Sequence, residues 1–167
     1  LSGCTYCIEG QANRSTKLEK TWDGIKIEEF VEQLKDYSNN GYFFINIIDS
    51  SFEDPGRRGL NDLRLFCNLI IKYGLRFSFK IHMRAENVLK LFDEDLQKMK
   101  QAGIDVIIVG LESGSQEELD FFRKIASKED NVEASNRLEE PELFCNIFGH
   151  MMFTPVSTRE IILEKIL

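Results

Sequence analysis

The chain has 167 residues, enough for one domain that buries roughly two-thirds of its unfolded surface and too few for two ordinary ones. With 43% hydrophobic and 29% charged residues, three prolines and no low-complexity run, the composition excludes a disordered or fibrous chain and requires a core. A net charge of −7 argues against capture of nucleic acid through clustered cations, and no apolar stretch approaches the roughly twenty residues of a membrane helix, so no membrane contact and a cytoplasmic location are expected.

The amino end carries Cys4-Thr5-Tyr6-Cys7, two thiols at a spacing that serves iron-sulfur clusters, zinc sites and redox couples alike. Cys67, within an apolar helical face, and Cys145, at the head of an apolar run, read as small buried hydrophobes. After a polar stretch, Ile27, Phe30, Val31 and Leu34 recur at helical spacing. Residues 42–48 form a nearly unbroken apolar run of strand length, which suits a strand buried on both faces, and it ends in Asp49-Ser50-Ser51-Phe52. A helix over about 58–72 ends at Gly74, and the alternation in 77–83 predicts a strand.

One or two helical segments follow in 86–101, with Asp93 as amino cap and Gly103 as carboxyl cap. The β-branched run 105–110 is a strand leading into Leu111-Glu112-Ser113-Gly114-Ser115, where Ser115 and Glu118 have capping-box spacing. A helix over 131–139, a strand over 144–152 and a last helix opened by Ser157 and Glu160 complete the chain. His82 and His150 read as packed or solvated strand residues.

Strict alternation of helices with apolar strands implies parallel strands joined by right-handed crossovers. No glycine-rich dinucleotide loop opens a helix, and every strand runs directly into polar residues: Asp49-Ser50-Ser51, Arg84-Ala85-Glu86, Glu112-Ser113-Gly114-Ser115, and Thr154. Polar strand ends converge on one site in a parallel barrel. Four strands do not close a barrel, so the expectation is one domain over 1–167, part of a parallel (βα) barrel and incomplete at both ends.

These residues resemble the core of the radical S-adenosylmethionine (radical SAM) enzymes, over essentially the whole chain. That family carries Cys-x3-Cys-x2-Cys after its first strand, with an aromatic residue before the last cysteine. Cys4, Tyr6 and Cys7 match its second half, with the first cysteine expected just before Leu1. Asp49-Ser50-Ser51-Phe52 is similar to the Asp-x-x-Phe of the branch that often has a cobalamin-binding domain upstream, and Met83-Arg84-Ala85-Glu86 to the end of the third strand. The stretch Gly110-Leu111-Glu112-Ser113-Gly114-Ser115 is the closest match, and Pro155-Val156-Ser157-Thr158-Arg159-Glu160 resembles a Pro-x-x-Thr-x-Glu element in which Val156-Ser157 replaces the more common Gly-Glu. The match is loose over 126–141.

The resemblance implies an enzyme with a 4Fe-4S cluster on Cys4 and Cys7 that reductively cleaves SAM to a 5′-deoxyadenosyl radical, which abstracts hydrogen from a small-molecule or peptide substrate. It implies Tyr6 near the adenine, Asp49, Ser50 and Ser51 at the amino group, Arg84 at the methionine carboxylate, and Glu112 and Ser113 at the ribose. It further implies an electron donor such as a flavodoxin or ferredoxin, and leaves room for cobalamin on an upstream domain. No catalytic residue and no particular substrate follows. The thiols alone leave two other readings: a thiol redox protein using Cys4 and Cys7, which calls for a helix amino terminus at the thiols, and a structural zinc domain, which needs two further ligands.

Overall fold

The computed structural model describes residues 4–6, 25–53, 59–139, 144–151 and 153–166. Along them run α1 (Ile27–Asn39), β1 (Phe44–Asn46), α2 (Leu60–Tyr73), β2 (Ser78–Met83), α3 (Ala85–Val88), α4 (Asp93–Gln101), β3 (Ile104–Glu112), α5 (Gln116–Phe122), α6 (Lys128–Glu139), β4 (Cys145–His150) and α7 (Arg159–Ile166). The strands form one parallel sheet in the order β1-β2-β3-β4. Because each crossover sets the next strand on the same side of the last, the winding is that of a barrel; a doubly wound sheet reverses at a switch point. The chain is thus α/β, with the sheet of a partial parallel barrel. Among the described residues no helix is long and apolar enough to cross a membrane.

The two-residue period of the strands sorts their side chains onto two faces. Phe79, Ile81 and Met83 of β2 and Ile107, Val109 and Leu111 of β3 are buried in the core. Lys80 and His82 lie on the other, more open face, where the register sets His82 beside Ile108. The stripe Leu63, Phe66, Cys67 and Ile70 turns α2 into the core. Phe66 is the hub of that packing: its ring meets Phe30 of α1 at 5.9 Å, Phe52 at 5.0 Å and Phe79 at 5.1 Å between centroids. Gly103, at φ 86°, closes the turn from α4 into β3; a Cβ there would lie 2.1 Å from the Phe77 carbonyl oxygen, so only glycine permits this approach.

Several local expectations are corrected. The apolar run 42–48 yields only a three-residue strand, and it is not buried: Phe43 is 76% and Ile48 83% exposed. An apolar run does not distinguish a central strand from an edge, and β1 is an edge of the described sheet. Asp93 is the first residue of α4; Phe92 holds the cap position and donates its N–H to Asp95 Oδ2 at 3.0 Å. Neither Ser115 nor Ser157 closes a capping box: Glu118, in α5, is taken up by Ser113, Thr154 and Ser157 instead of the Ser115 backbone. Ser115 makes no side-chain cap, and Thr158 rather than Ser157 accepts from the helix amide of Ile161. Cys67 is buried as expected, its thiol pushed up to about 12 by burial, whereas Cys145 is exposed on β4.

Candidate active site

The polar residues that follow the strands are held by three separate devices. The first is at β1. Ile47 N–H donates to Lys80 O at 2.9 Å and Phe52 N–H to His82 O at 2.9 Å, so residues 48–51 are looped out against a short stretch of β2. Phe52, anchored on Phe66, forces this excursion and gives the Asp-x-x-Phe pattern a physical sense. Asp49 and Ser50 are exposed on the loop, while Ser51 is buried and turned inward beside Glu53.

Glu53 has no exposed surface. Its Oε1 accepts from Arg84 N–H at 2.9 Å and from Asn87 Nδ2 at 3.0 Å, which ties the loop to the end of β2. Burial pushes the Glu53 carboxyl above the ordinary carboxylate range, opposed by these donors and, more weakly, by the neighbouring Ser51 hydroxyl. Ser51 Oγ and Glu53 Oε2 nonetheless lie outside the hydrogen-bonding geometry of any partner. Arg84 is the residue before α3, and its guanidinium forms no ion pair among the described residues. Burial and the Lys80 charge hold the His82 imidazole below its ordinary value, with Asp49 pulling the other way. His82, which the sequence reads as packed or solvated along its strand, lies on the open face within electrostatic reach of Asp49.

The second device is at β3. Glu112 adopts φ 68°, and Ser113 N–H donates to Leu111 O at 2.9 Å, which defines a three-residue γ-turn of the rare, strained hand. The Glu112 side chain folds back over Gly110, where a Cβ would stand 2.7 Å from Oε1. Lys124 Nζ lies 3.7 Å from the same oxygen and donates to Gly110 O at 3.1 Å. Ser113 is fully buried; its hydroxyl donates to Glu118 Oε2 and accepts from Ser115 N–H at 3.0 Å. Glu118 is buried too, and receives Thr154 Oγ1 at 2.8 Å and Ser157 Oγ at 2.5 Å. One carboxylate therefore joins the end of β3 to the loop after β4. The Ser113 hydroxyl proton is committed inside, whereas Glu112 stays partly exposed.

The third device seats the amino-terminal residues. Thr5 N–H donates to Phe122 O at 3.0 Å and its hydroxyl to Phe121 O at 3.3 Å. Cys4 Sγ lies 3.9 Å from Arg123 O, and Tyr6 packs edge-on against Phe122, with centroids 5.1 Å apart. Cys4 and Tyr6 are thereby placed at the carboxyl end of α5, the helix that begins just after Glu112-Ser113. Cys7 lies outside the described residues. Thiol redox couples of the thioredoxin type stand at helix amino termini, the opposite end from Cys4. Among the described residues no group of three or more His, Cys, Asp and Glu side chains could hold a metal ion. Cys4 is the one motif thiol among them, Cys7 lying outside. The charged strand-end groups Asp49, Arg84 and Glu112, by contrast, suit a zwitterionic ligand.

The radical SAM superfamily model matches residues 2–163, and the chain belongs to that superfamily. It is 27% identical over 147 residues to the 4'-phospho-dehydrooxetanocin synthase of Priestia megaterium, covering 78% of this chain and 19% of that protein. Among solved structures, the cobalamin-dependent S-adenosylmethionine radical enzyme OxsB with aqua-cobalamin bound aligns with a TM-score of 0.71 at 23% identity, covering 87% of this chain and 22% of that one. The form with aqua-cobalamin and S-adenosylmethionine bound aligns equally, at 0.71, and the apo form at 0.72, both with the same identity and coverage. The chain thus spans about a fifth of the length of these relatives, and the likeness extends to the fold of an enzyme family.

Proposed function

We propose that this chain is the cofactor-binding core of a radical SAM enzyme, with SAM held across the carboxyl ends of the strands and a 4Fe-4S cluster bound through Cys4 and Cys7. The observation that carries this reading is the strained turn at Glu112: a carboxylate fixed at the carboxyl end of β3, on the same end of the sheet as Asp49 after β1 and Arg84 after β2, whose guanidinium has no ion-pair partner among the described residues. Bound there, the cluster would supply the electron for reductive cleavage of SAM, the chemistry by which this family generates a hydrogen-abstracting radical.

The chain's own residues bind and orient. Glu112 accepts from the ribose hydroxyls, and Ser113 supports it from within through Glu118. Arg84 pairs with the methionine carboxylate, Asp49 and Ser50 meet the amino group, Ser51 backs them from inside the loop, and Tyr6 lies along the adenine. An electron donor of the flavodoxin or ferredoxin kind and a cytoplasmic location suit a reductive, oxygen-sensitive centre. The cobalamin dependence of OxsB supports a partnership of this core with a cobalamin-binding domain. The substrate is a small molecule or peptide.

The test is anaerobic reconstitution with iron and sulfide, followed by reduction in the presence of SAM. A thiolate-ligated cluster by electron paramagnetic resonance and formation of 5′-deoxyadenosine are expected, with product lost in Cys4→Ala. A protein that takes up stoichiometric zinc in place of iron, or that reduces a disulfide without SAM, would overturn the reading.

A further inference from the structure

Asn131, on the first half of α6, was not singled out by any motif, and it lies in the stretch that resembles the family only loosely. It is 4% exposed. Its Nδ2 donates to Leu111 O at 2.9 Å and to Ser113 O at 3.0 Å, the two carbonyls that flank Glu112. The amide orientation follows from the chemistry: reversed, Oδ1 would face two carbonyl oxygens with no proton between them. Asn131 Oδ1 is buried without a hydrogen-bond partner, so the side chain gives up one acceptor to make this clamp.

A positive φ at a glutamate persists only where its surroundings over-determine it. Four groups do so here. Asn131 bridges the flanking carbonyls, Ser113 N–H closes the turn, Met151 N–H donates to Glu112 O at 2.8 Å, and Lys124 approaches the carboxylate. Of these, Asn131 alone reaches both sides of the turn, and it comes from a helix that contributes no other residue to the strand ends described above. We infer that Asn131 is a positioning residue for Glu112: it holds the strained turn that aims the carboxylate at the ribose of SAM. This rests on the proposed role of Glu112 as a SAM contact.

The experiment compares wild type with Asn131→Ala, and with Asn131→Leu should the alanine variant fail to fold. Amide exchange is read first, in the absence of SAM. The Ser113 and Met151 amides should exchange roughly tenfold faster in the variant, as expected for loss of about one net hydrogen bond, while Ile81 and Met83 of β2 stay as protected as in wild type. SAM affinity of the anaerobically reconstituted protein is read second, by equilibrium dialysis. It should weaken roughly tenfold, and Glu112→Ala combined with Asn131→Ala should bind no worse than Glu112→Ala alone. Unchanged exchange at Ser113 and Met151 overturns the clamp. Faster exchange with unchanged affinity, or additive losses in the double variant, overturns the positioning role and leaves Asn131 purely structural. Wild type that binds no SAM overturns the reading of the site and with it the ligand role of the clamp, whereas the exchange result still decides whether the clamp exists.

Discussion

Gly110 and Glu112 form a matched pair, because the carboxylate occupies the space where a side chain at 110 would begin. A methyl group at Gly110 meets only the end of a flexible side chain, so Gly110→Ala should melt within a few degrees of wild type. It should nevertheless bind SAM roughly tenfold more weakly, because the carboxylate has to leave its seat. Equilibrium dialysis beside a thermal melt checks both halves. Glu53 behaves differently, since burial favours its protonated form. The folded state then holds a proton that the unfolded chain releases near the ordinary carboxylate pKa, and this contribution to stability declines as pH rises through the raised folded value. Glu53→Gln keeps an oxygen for Arg84 N–H and Asn87 and removes the titration. Urea denaturation at pH 5 and pH 8 should therefore show a gain over wild type that is larger at pH 8.

Among the elements, the contact between α2 and α4 is set by one ion pair. Arg64 grips Asp95 with Nε at 2.9 Å and Nη2 at 2.8 Å, and Asp95 also accepts the Phe92 amide that opens α4. The Arg64 hydrogen bonds hold the Asp95 carboxyl below its usual range, so their stabilisation is present above that range and is lost as pH falls through the lowered value. Arg64→Lys replaces a fork by a point charge, and should cost about 1 kcal/mol at neutral pH by denaturant titration and less in strong acid. Most of the element order was legible, because helical stripes such as Leu63, Phe66, Cys67 and Ile70 and the alternation in β2 are local patterns. What the sequence hid was tertiary. A serine followed three residues later by a glutamate has the same spacing whether the carboxylate folds back on its own helix or, like Glu118, crosses to Thr154 and Ser157. Asn131 carries no local signal at all, since the carbonyls it bridges are 18 and 20 residues away in the chain. Glu112 was recognisable from its motif, but its backbone strain was not.

For the molecule as a whole, the described sheet ends at β1 in a strand whose neighbourhood is apolar: Tyr42, Phe43, Phe44 and Ile48 are all exposed. Exposed strand edges of this kind recruit other chains. At micromolar concentration the 167-residue chain should self-associate and bind a hydrophobic dye. Phe43→Lys with Ile48→Lys should shift it toward monomer in sedimentation velocity without altering the β2 and β3 core. A monomeric wild type with no dye binding would contradict that expectation.

The bridge from Glu118 to the loop after β4 also bears on how this protein can be recombined. Ser157 takes the place of the glutamate in the Pro-Gly-Glu-Thr-x-Glu pattern that this segment resembles, and in this fold a glutamate there would face the buried Glu118 carboxylate across a gap now closed by a hydroxyl. A segment covering 150–160 is therefore not a portable module. A chimera that imports the acidic loop needs a neutral residue at 118 in the same step, and one that imports the helix needs the hydroxyls of Thr154 and Ser157. The helix and the loop are separate in sequence but form a single unit of exchange.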